Sequence, residues 1–189
     1  MCEEMDVRQP ADAAHCGALA PRAIVVDPRF PPGLLRTIRA QFRLDWSGIH
    51  GAPHWARVRY HGVSLAKELG VDPRVPAFFA VTHDCQRRSD GYDPEHGARA
   101  ADYAERLHHL GLLDLERKPL HLLVQALEGH SEGHLEAPTL VQVCWDADRL
   151  DLGRVGIRPD PRRLCTAPAK RPDRIERAWR WSIDRSNAG

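Results

Sequence analysis

VPAFFAV, at residues 75–81, is apolar throughout and is followed closely by the doublet His83-Asp84. An apolar run of this kind indicates a helix that is buried on every side. A carboxylate and an imidazole at the end of such a helix need partners, since a buried unpaired charge is strongly destabilising. A bound metal ion is a partner that would satisfy both groups.

Helical periodicity predicts that two distant residues point into the same interior as the doublet His83-Asp84. His54 shares one face of a predicted helix with the apolar residue Val58, and Asp148 shares a face of another with Cys144. Together with the doublet, these residues form a set of two histidines and two aspartates without a thiolate. Nitrogen and oxygen ligands of this kind suit zinc, manganese, iron, cobalt or nickel.

The three segments resemble the HD superfamily of metal-dependent phosphohydrolases. Its motif is a histidine that opens a helix as H-x-x-R-V, then a His-Asp doublet, then a distant aspartate. HWARV at residues 54–58, HD at residues 83–84 and ADRL at residues 147–150 match these parts in order, and the resemblance spans about residues 50–156. It implies an all-α, HD-domain-like helical bundle with a metal site in its core. The implied ligands of a divalent ion (Mn, Fe, Zn, Co, Ni or Mg) are His54, His83, Asp84 and Asp148.

Two further histidines resemble positions of the two-metal branch of the superfamily, which includes the HD-GYP cyclic-dinucleotide phosphodiesterases. His96 precedes a glycine in a predicted helix, and His130 lies near the end of another. The resemblance implies that both would bind a second ion and that Asp84 would bridge the two. The HD-GYP signature is absent and Cys85 follows the doublet, so cyclic-dinucleotide cleavage is not indicated. One ion and two ions per chain both remain open.

The reaction implied by the resemblance is hydrolysis of a phosphate ester by metal-activated water. The candidate catalytic residues are Asp84, His130 and His50. With one ion, His50 or His130 would serve as general acid or base. His50 precedes His54 by four residues and would share its face if the helix begins early. A histidine in a turn, away from the site, is an equal alternative for His50.

Two arginines are candidates for binding the substrate phosphate. Arg87 follows the doublet, and Arg149 follows the last aspartate of the motif. A guanidinium group binds phosphate oxygens with a fixed, two-pronged geometry. We expect Arg87 and Arg149 to contact substrate, with exposure at the surface as the alternative for each.

Composition favours a cytoplasmic enzyme without identifying its substrate. The chain has 189 residues, enough for one domain, and its net charge of +1 does not indicate nucleic acid as a partner. The five cysteines are odd in number and show no paired spacing, which favours a reducing compartment. No apolar run has membrane-spanning length, and the first residues lack the basic start of a secretory signal. The expected partner is a small phosphate-containing molecule, and no membrane association is expected.

Residues 1–22 show little periodicity and are predicted to form a poorly ordered arm. Residues 23–170 are predicted to form the metal-dependent hydrolase domain, and residues 171–189 a C-terminal helix or tail. Two other functions remain open. One is an HD-fold di-iron oxygenase, because some two-iron members of the superfamily are oxygenases. The other is a metal-stabilised binding module without catalytic activity.

Overall fold

A computed structural model describes residues 28–184, and every regular element in this range is helical. The predicted all-α class is therefore confirmed for this part of the chain, whereas the proposed arm, residues 1–22, lies outside the described residues. Two 3₁₀ turns, Leu152–Val155 and Pro161–Arg163, precede the last helix. The α-helices in chain order are α1 (Leu34–Gln41), α2 (Ala52–Leu69), α3 (Arg74–Thr82), α4 (His96–His109), α5 (Arg117–Gly129), α6 (Thr139–Leu150) and α7 (Pro172–Ile183).

Helix α3 is the centre of the bundle. All of its residues from 75 to 82 are buried, and α2, α5 and α6 pack against it. Its apolar sequence explains this position, because no face of α3 carries side chains that need water. The doublet His83-Asp84, which follows α3, therefore lies in the interior, where residues of the surrounding helices can contact it.

Two glycines set the ends of α2. A Cβ at Gly51 would clash with the carbonyl oxygen of Trp46, so only glycine lets the preceding loop pass this close to the helix start. Gly70 ends the helix with a φ of 68°, and the amide of Val71 donates to the carbonyl of Ala66 at 3.0 Å. This is a Schellman C-cap, which satisfies a carbonyl group of the last turn.

Helix α7 belongs to the same folded unit as the helices before it. Ile175 and Ala178 join a buried cluster with Leu65 of α2 and Leu150 of α6. The segment that the sequence set apart as a C-terminal helix or tail is thus a packed helix up to Ile183. Among the described helices, none is both long and apolar enough to cross a membrane.

Candidate metal centre

Four of the six predicted metal ligands meet at the C-terminal end of α3. Nε2 of His54 lies 2.9 Å from Nε2 of His83 and 3.4 Å from Oδ1 of Asp148. Oδ2 of Asp84 lies 3.5 Å from Nε2 of His54 and 3.4 Å from Nε2 of His83. We call these residues the first ligand group. Helices α2, α3 and α6 together supply it, as the sequence predicted for a common interior.

The other two predicted ligands meet on the opposite oxygen of Asp84. Oδ1 of Asp84 lies 3.6 Å from Nε2 of His96 and 3.9 Å from Nε2 of His130. The two histidine Nε2 atoms are 2.8 Å apart. We call Asp84, His96 and His130 the second ligand group. Asp84 therefore belongs to both groups, with one carboxylate oxygen facing each.

Each of the four histidines directs its Nδ1 atom at an oxygen outside the ligand groups. A ring nitrogen that faces a carbonyl or carboxylate oxygen carries the proton and donates it, so the lone pair lies on Nε2. When the rings are neutral, all four Nε2 lone pairs are thus presented to the ligand groups, as in a metal site. The acceptor is the carboxylate of Asp151 for His54. For the other three it is a backbone carbonyl: Ala80 for His83, Asp93 for His96 and Leu127 for His130.

The first ligand group contains two buried oxygens that lack hydrogen-bond donors. Oδ2 of Asp84 and Oδ1 of Asp148 have no hydrogen-bond partner among the described residues. Buried carboxylate oxygens in folded proteins almost always have a partner. Since the neighbouring Nε2 atoms of His54 and His83 also present lone pairs, a cation is the partner that all four atoms can share. These residues therefore fit a divalent metal ion.

The charges of the first ligand group attract a cation. Burial would lower the pKa of His54, yet the carboxylates of Asp148 and Asp151 raise it to about 9. Burial would raise the pKa of Asp84, yet His83 and His54 hold it well below its usual value. The two aspartates of the group thus carry negative charge, and His54 retains a proton wherever no metal ion takes its place.

The second ligand group has a different electrostatic character. Burial and the neighbouring His83 lower the pKa of His130 to about 4, and burial also lowers that of His96. Both histidines are therefore neutral near pH 7, the state that binds a metal. Nη1 of Arg87 lies 3.2 Å from Nε2 of His96 and 3.5 Å from Oδ1 of Asp84. A fixed positive charge thus borders this group.

An ion pair supports His54 of the first ligand group on the Nδ1 side of its ring. Nε of Arg57 donates to Oδ1 of Asp151 at 2.6 Å, and Oδ2 of Asp151 lies 2.7 Å from Nδ1 of His54. Asp151 is fully buried, so its position is restrained on both sides. Sequence spacing carries no signal for this link, because Arg57 and Asp151 are 94 positions apart.

The structure places only one of the two predicted substrate-binding arginines beside the ligand groups. Arg87 borders the second ligand group, whereas the guanidinium of Arg149 donates to the carbonyls of Arg163 at 2.9 Å and His134 at 2.7 Å. Successive residues of a helix point about 100° apart, so Asp148 can face the first ligand group only if Arg149 turns away. The role predicted for Arg149 is corrected accordingly: it joins two loops.

Arg154 takes the place beside the first ligand group that the sequence assigned to Arg149. Nη2 of Arg154 lies 3.6 Å from Oδ1 of Asp148, and its Nε donates to the carbonyl of Ile49 at 2.9 Å. The adjacent His50 is buried, and its Nδ1 lies 2.8 Å from Oδ1 of Asp90. Burial lowers the pKa of His50, and the charge of Asp84 partly offsets this. His50 is thus a buried histidine that contacts Asp90 and whose pKa depends in part on the charge of Asp84.

A solved structure with a similar fold is that of a predicted HD superfamily hydrolase from an uncultured Thermotogales bacterium. It aligns with a TM-score of 0.60 and 22% sequence identity, and the match covers 80% of this chain and 86% of that chain. No protein-family model matches the sequence, and no curated protein does. In this chain, the two groups of buried histidines and aspartates are ones that could hold a metal ion. The chain therefore shares the fold of that solved structure, in agreement with the helical bundle that the His, His-Asp and Asp motif predicted.

Proposed function

We propose that this protein is a metal-dependent phosphohydrolase that cleaves a phosphate ester with activated water. The observation that carries the proposal is the position of Asp84, whose two carboxylate oxygens face the two ligand groups. A divalent ion held by these groups supplies Lewis-acid activation of water and stabilises charge on the phosphoryl oxygens. The substrate would be a small phosphate-containing molecule, such as a nucleotide or a related phosphomonoester or diester, and the expected location is the cytoplasm.

The ligands of that ion follow from the two groups. His54, His83, Asp84 and Asp148 would hold one ion, and Asp84 with His96 and His130 would hold a second. Asp84 is common to both groups and would help to hold either ion.

Two arginines would bind and orient the phosphate. Nη2 of Arg87 donates to the carbonyl of Gly91 at 2.8 Å, and Nε of Arg154 donates to that of Ile49 at 2.9 Å. Both guanidinium groups are therefore held in place before substrate binds. Donors that are fixed in advance stabilise developing negative charge without reorganising during the reaction. Arg87 would act from the side of the second ligand group and Arg154 from the side of the first.

His50 would accept a proton from the attacking water. The contact with Asp90 keeps the proton of neutral His50 on Nδ1, so Nε2 is the basic atom. Because burial lowers the pKa of His50, the ring is largely neutral at pH 7 and can act as a base.

The proposal is tested by loading metal-free protein with manganese or iron and measuring phosphate release from a panel of phosphate esters. Asp84→Asn should abolish hydrolysis and lower metal content, because it removes a charged ligand shared by both groups. Asp102→Asn is the matched control, since Asp102 is exposed on α4. Full metal content with unchanged hydrolysis in Asp84→Asn would contradict the proposal. Oxygen consumption by the iron-loaded protein without phosphate release would instead favour the di-iron oxygenase.

A further inference from the structure

A cleft of about 620 Å³ is lined in part by Arg154, which also borders the candidate metal centre. It is bordered by the loop before α2, the 3₁₀ turn after α6 and the end of α7. The side chains of Ile49, Val155 and Ile183 line it and are 41%, 41% and 46% exposed. Small-molecule sites have volumes of roughly 300–1,000 Å³ and combine apolar walls with a few polar groups. This cleft fits that description, because Arg57 and Arg154 also line it.

Arg154 connects the cleft with the metal centre. Its side chain lines the cleft, while its Nη2 atom lies 3.6 Å from Oδ1 of the candidate metal ligand Asp148. A phosphate at the first ligand group and an organic group in the cleft would therefore contact the same side chain. Two hydrogen bonds to backbone carbonyls, those of Ile49 and Asp151, hold Arg154 in this position.

Adjacent residues of one loop border the two spaces. Ile49 lines the cleft, and the next residue, His50, is buried and interacts electrostatically with Asp84. The cleft and the buried His50 are therefore separated by a single position along this loop. A substrate whose phosphate contacts Arg154 would have the cleft available for the group that the phosphate esterifies.

We infer that the cleft receives an apolar organic group of the substrate, so that the protein prefers aromatic or branched phosphate monoesters to small polar ones. The inference rests on the proposed function and extends it to substrate class. Hydrolysis joins a water oxygen to phosphorus while the ester P–O bond breaks, and the leaving oxygen takes up a proton to give the free alcohol. Burying the apolar group of the ester against Ile49 and Val155 removes both surfaces from water, which favours binding.

The test compares hydrolysis of 1-naphthyl phosphate and methyl phosphate by the metal-loaded protein. In Val155→Asp, the ratio of kcat/KM for the naphthyl ester to that for the methyl ester should fall about tenfold or more, because a charge replaces an apolar wall. Leu35→Asp is the control: Leu35 is 44% exposed on α1 and does not line the cleft. The control should keep the ratio of the unmodified protein.

A binding measurement gives an independent readout. Calorimetric titration with 1-naphthylphosphonate and methylphosphonate, which are not hydrolysed, should show tighter binding of the naphthyl compound, and Val155→Asp should remove this preference. Metal content and thermal melting confirm that each variant is folded. Hydrolysis of both esters with an unchanged ratio in Val155→Asp would overturn the inference and leave the proposed function standing. Failure of the unmodified protein to hydrolyse any phosphate ester would overturn the proposed function itself.

Discussion

Nε2 of His96 lies 2.8 Å from Nε2 of His130, although the two residues are 34 positions apart. Gly97 makes this approach possible, because a Cβ at that position would lie 2.6 Å from the carbonyl oxygen of Leu127 on α5. Real Cβ atoms do not come this close to a backbone oxygen. The glycine after His96 thus allows α4 to pack against the end of α5, where His130 follows.

Gly97→Ala should therefore separate the two histidines and destabilise the fold. A methyl group that meets backbone oxygen forces the helices apart, and overpacking of this kind costs about 1–3 kcal/mol. Thermal or denaturant unfolding measures the loss of stability. Gly91→Ala is the matched control, since its Cβ would meet only the side chain of Ser89 at 3.5 Å. Equal unfolding midpoints for the two variants would contradict the packing role of Gly97.

His130→Ala should distinguish one metal ion from two. If the second ligand group binds an ion, the metal-to-protein ratio should fall from about two to about one, the number expected for a two-metal site. The first ligand group should keep its ion, because His130 is not part of it. Elemental analysis of identically prepared proteins measures the ratio, with the exposed His121→Ala on α5 as control. A ratio in the unmodified protein that never exceeds one would rule out the second ion.

Asp151→Asn should weaken metal binding at the first ligand group without removing a ligand. The substitution takes away the charge that orients His54 and that pairs with Arg57. Loss of such a supporting partner typically lowers metal affinity by about 10- to 100-fold. Competition against a chelator of known affinity measures the change, and Asp102→Asn should leave affinity unaltered. An affinity equal to that of the unmodified protein would remove Asp151 from the support of the site.

Metal affinity should rise with pH up to about pH 9. The pKa of His54 is raised to about 9 without metal, so below that pH the ring is protonated and an ion must displace the proton. Apparent affinity should then increase about tenfold per pH unit between pH 6 and 8, with about one proton released per ion at the first ligand group. Calorimetric titration in two buffers of different ionisation enthalpy counts the protons. Binding at pH 7 without proton release would show that His54 is already neutral.

His50→Gln should lower kcat and leave metal content unchanged. Loss of a general base typically lowers the rate by about 10²- to 10⁴-fold. The pH profile separates this from a structural effect: activity of the unmodified protein should fall as pH drops through the lowered pKa of His50, and the variant should lose this limb. His109→Gln, an exposed histidine at the end of α4, is the control. An unchanged pH profile in His50→Gln would exclude the role.

His61 should make the fold sensitive to acid. Its ring is buried, Nε2 has no partner among the described residues, and burial lowers its pKa to about 4. In the unfolded state His61 takes up a proton near pH 6.5, whereas in the folded state it does so only near pH 4. The stability that the neutral His61 ring contributes is therefore present above pH 6.5 and is lost as the pH falls. Between pH 7 and 5 the loss is about 2 kcal/mol. Denaturant unfolding should show that the free energy of unfolding of His61→Phe falls less between pH 7 and 5 than that of the unmodified protein, by about this amount. An equal fall in the two proteins would contradict the prediction.

Local sequence patterns were enough to predict the helical class and the chain segments that carry the first ligand group. Both are local properties: the apolar run at residues 75–81 requires a buried helix, and helical periodicity places His54 and Asp148 on inward faces. The His-Asp doublet at the end of that helix then marks where the ligands meet. The structure agrees with this reading because α2, α3 and α6 pack directly against one another.

The groups that surround the candidate ligands could not be predicted from local patterns, because they come together only in the folded chain. Adjacency in sequence predicted that Arg149 would bind the substrate phosphate, yet the orientation of α6 turns Arg149 toward two loops. Arg154, in the following 3₁₀ turn, lies beside the first ligand group instead. The Arg57–Asp151 pair joins residues 94 positions apart. Contacts of this kind depend on how helices cross and where loops return, and these are set by packing across the whole core, which no local pattern encodes.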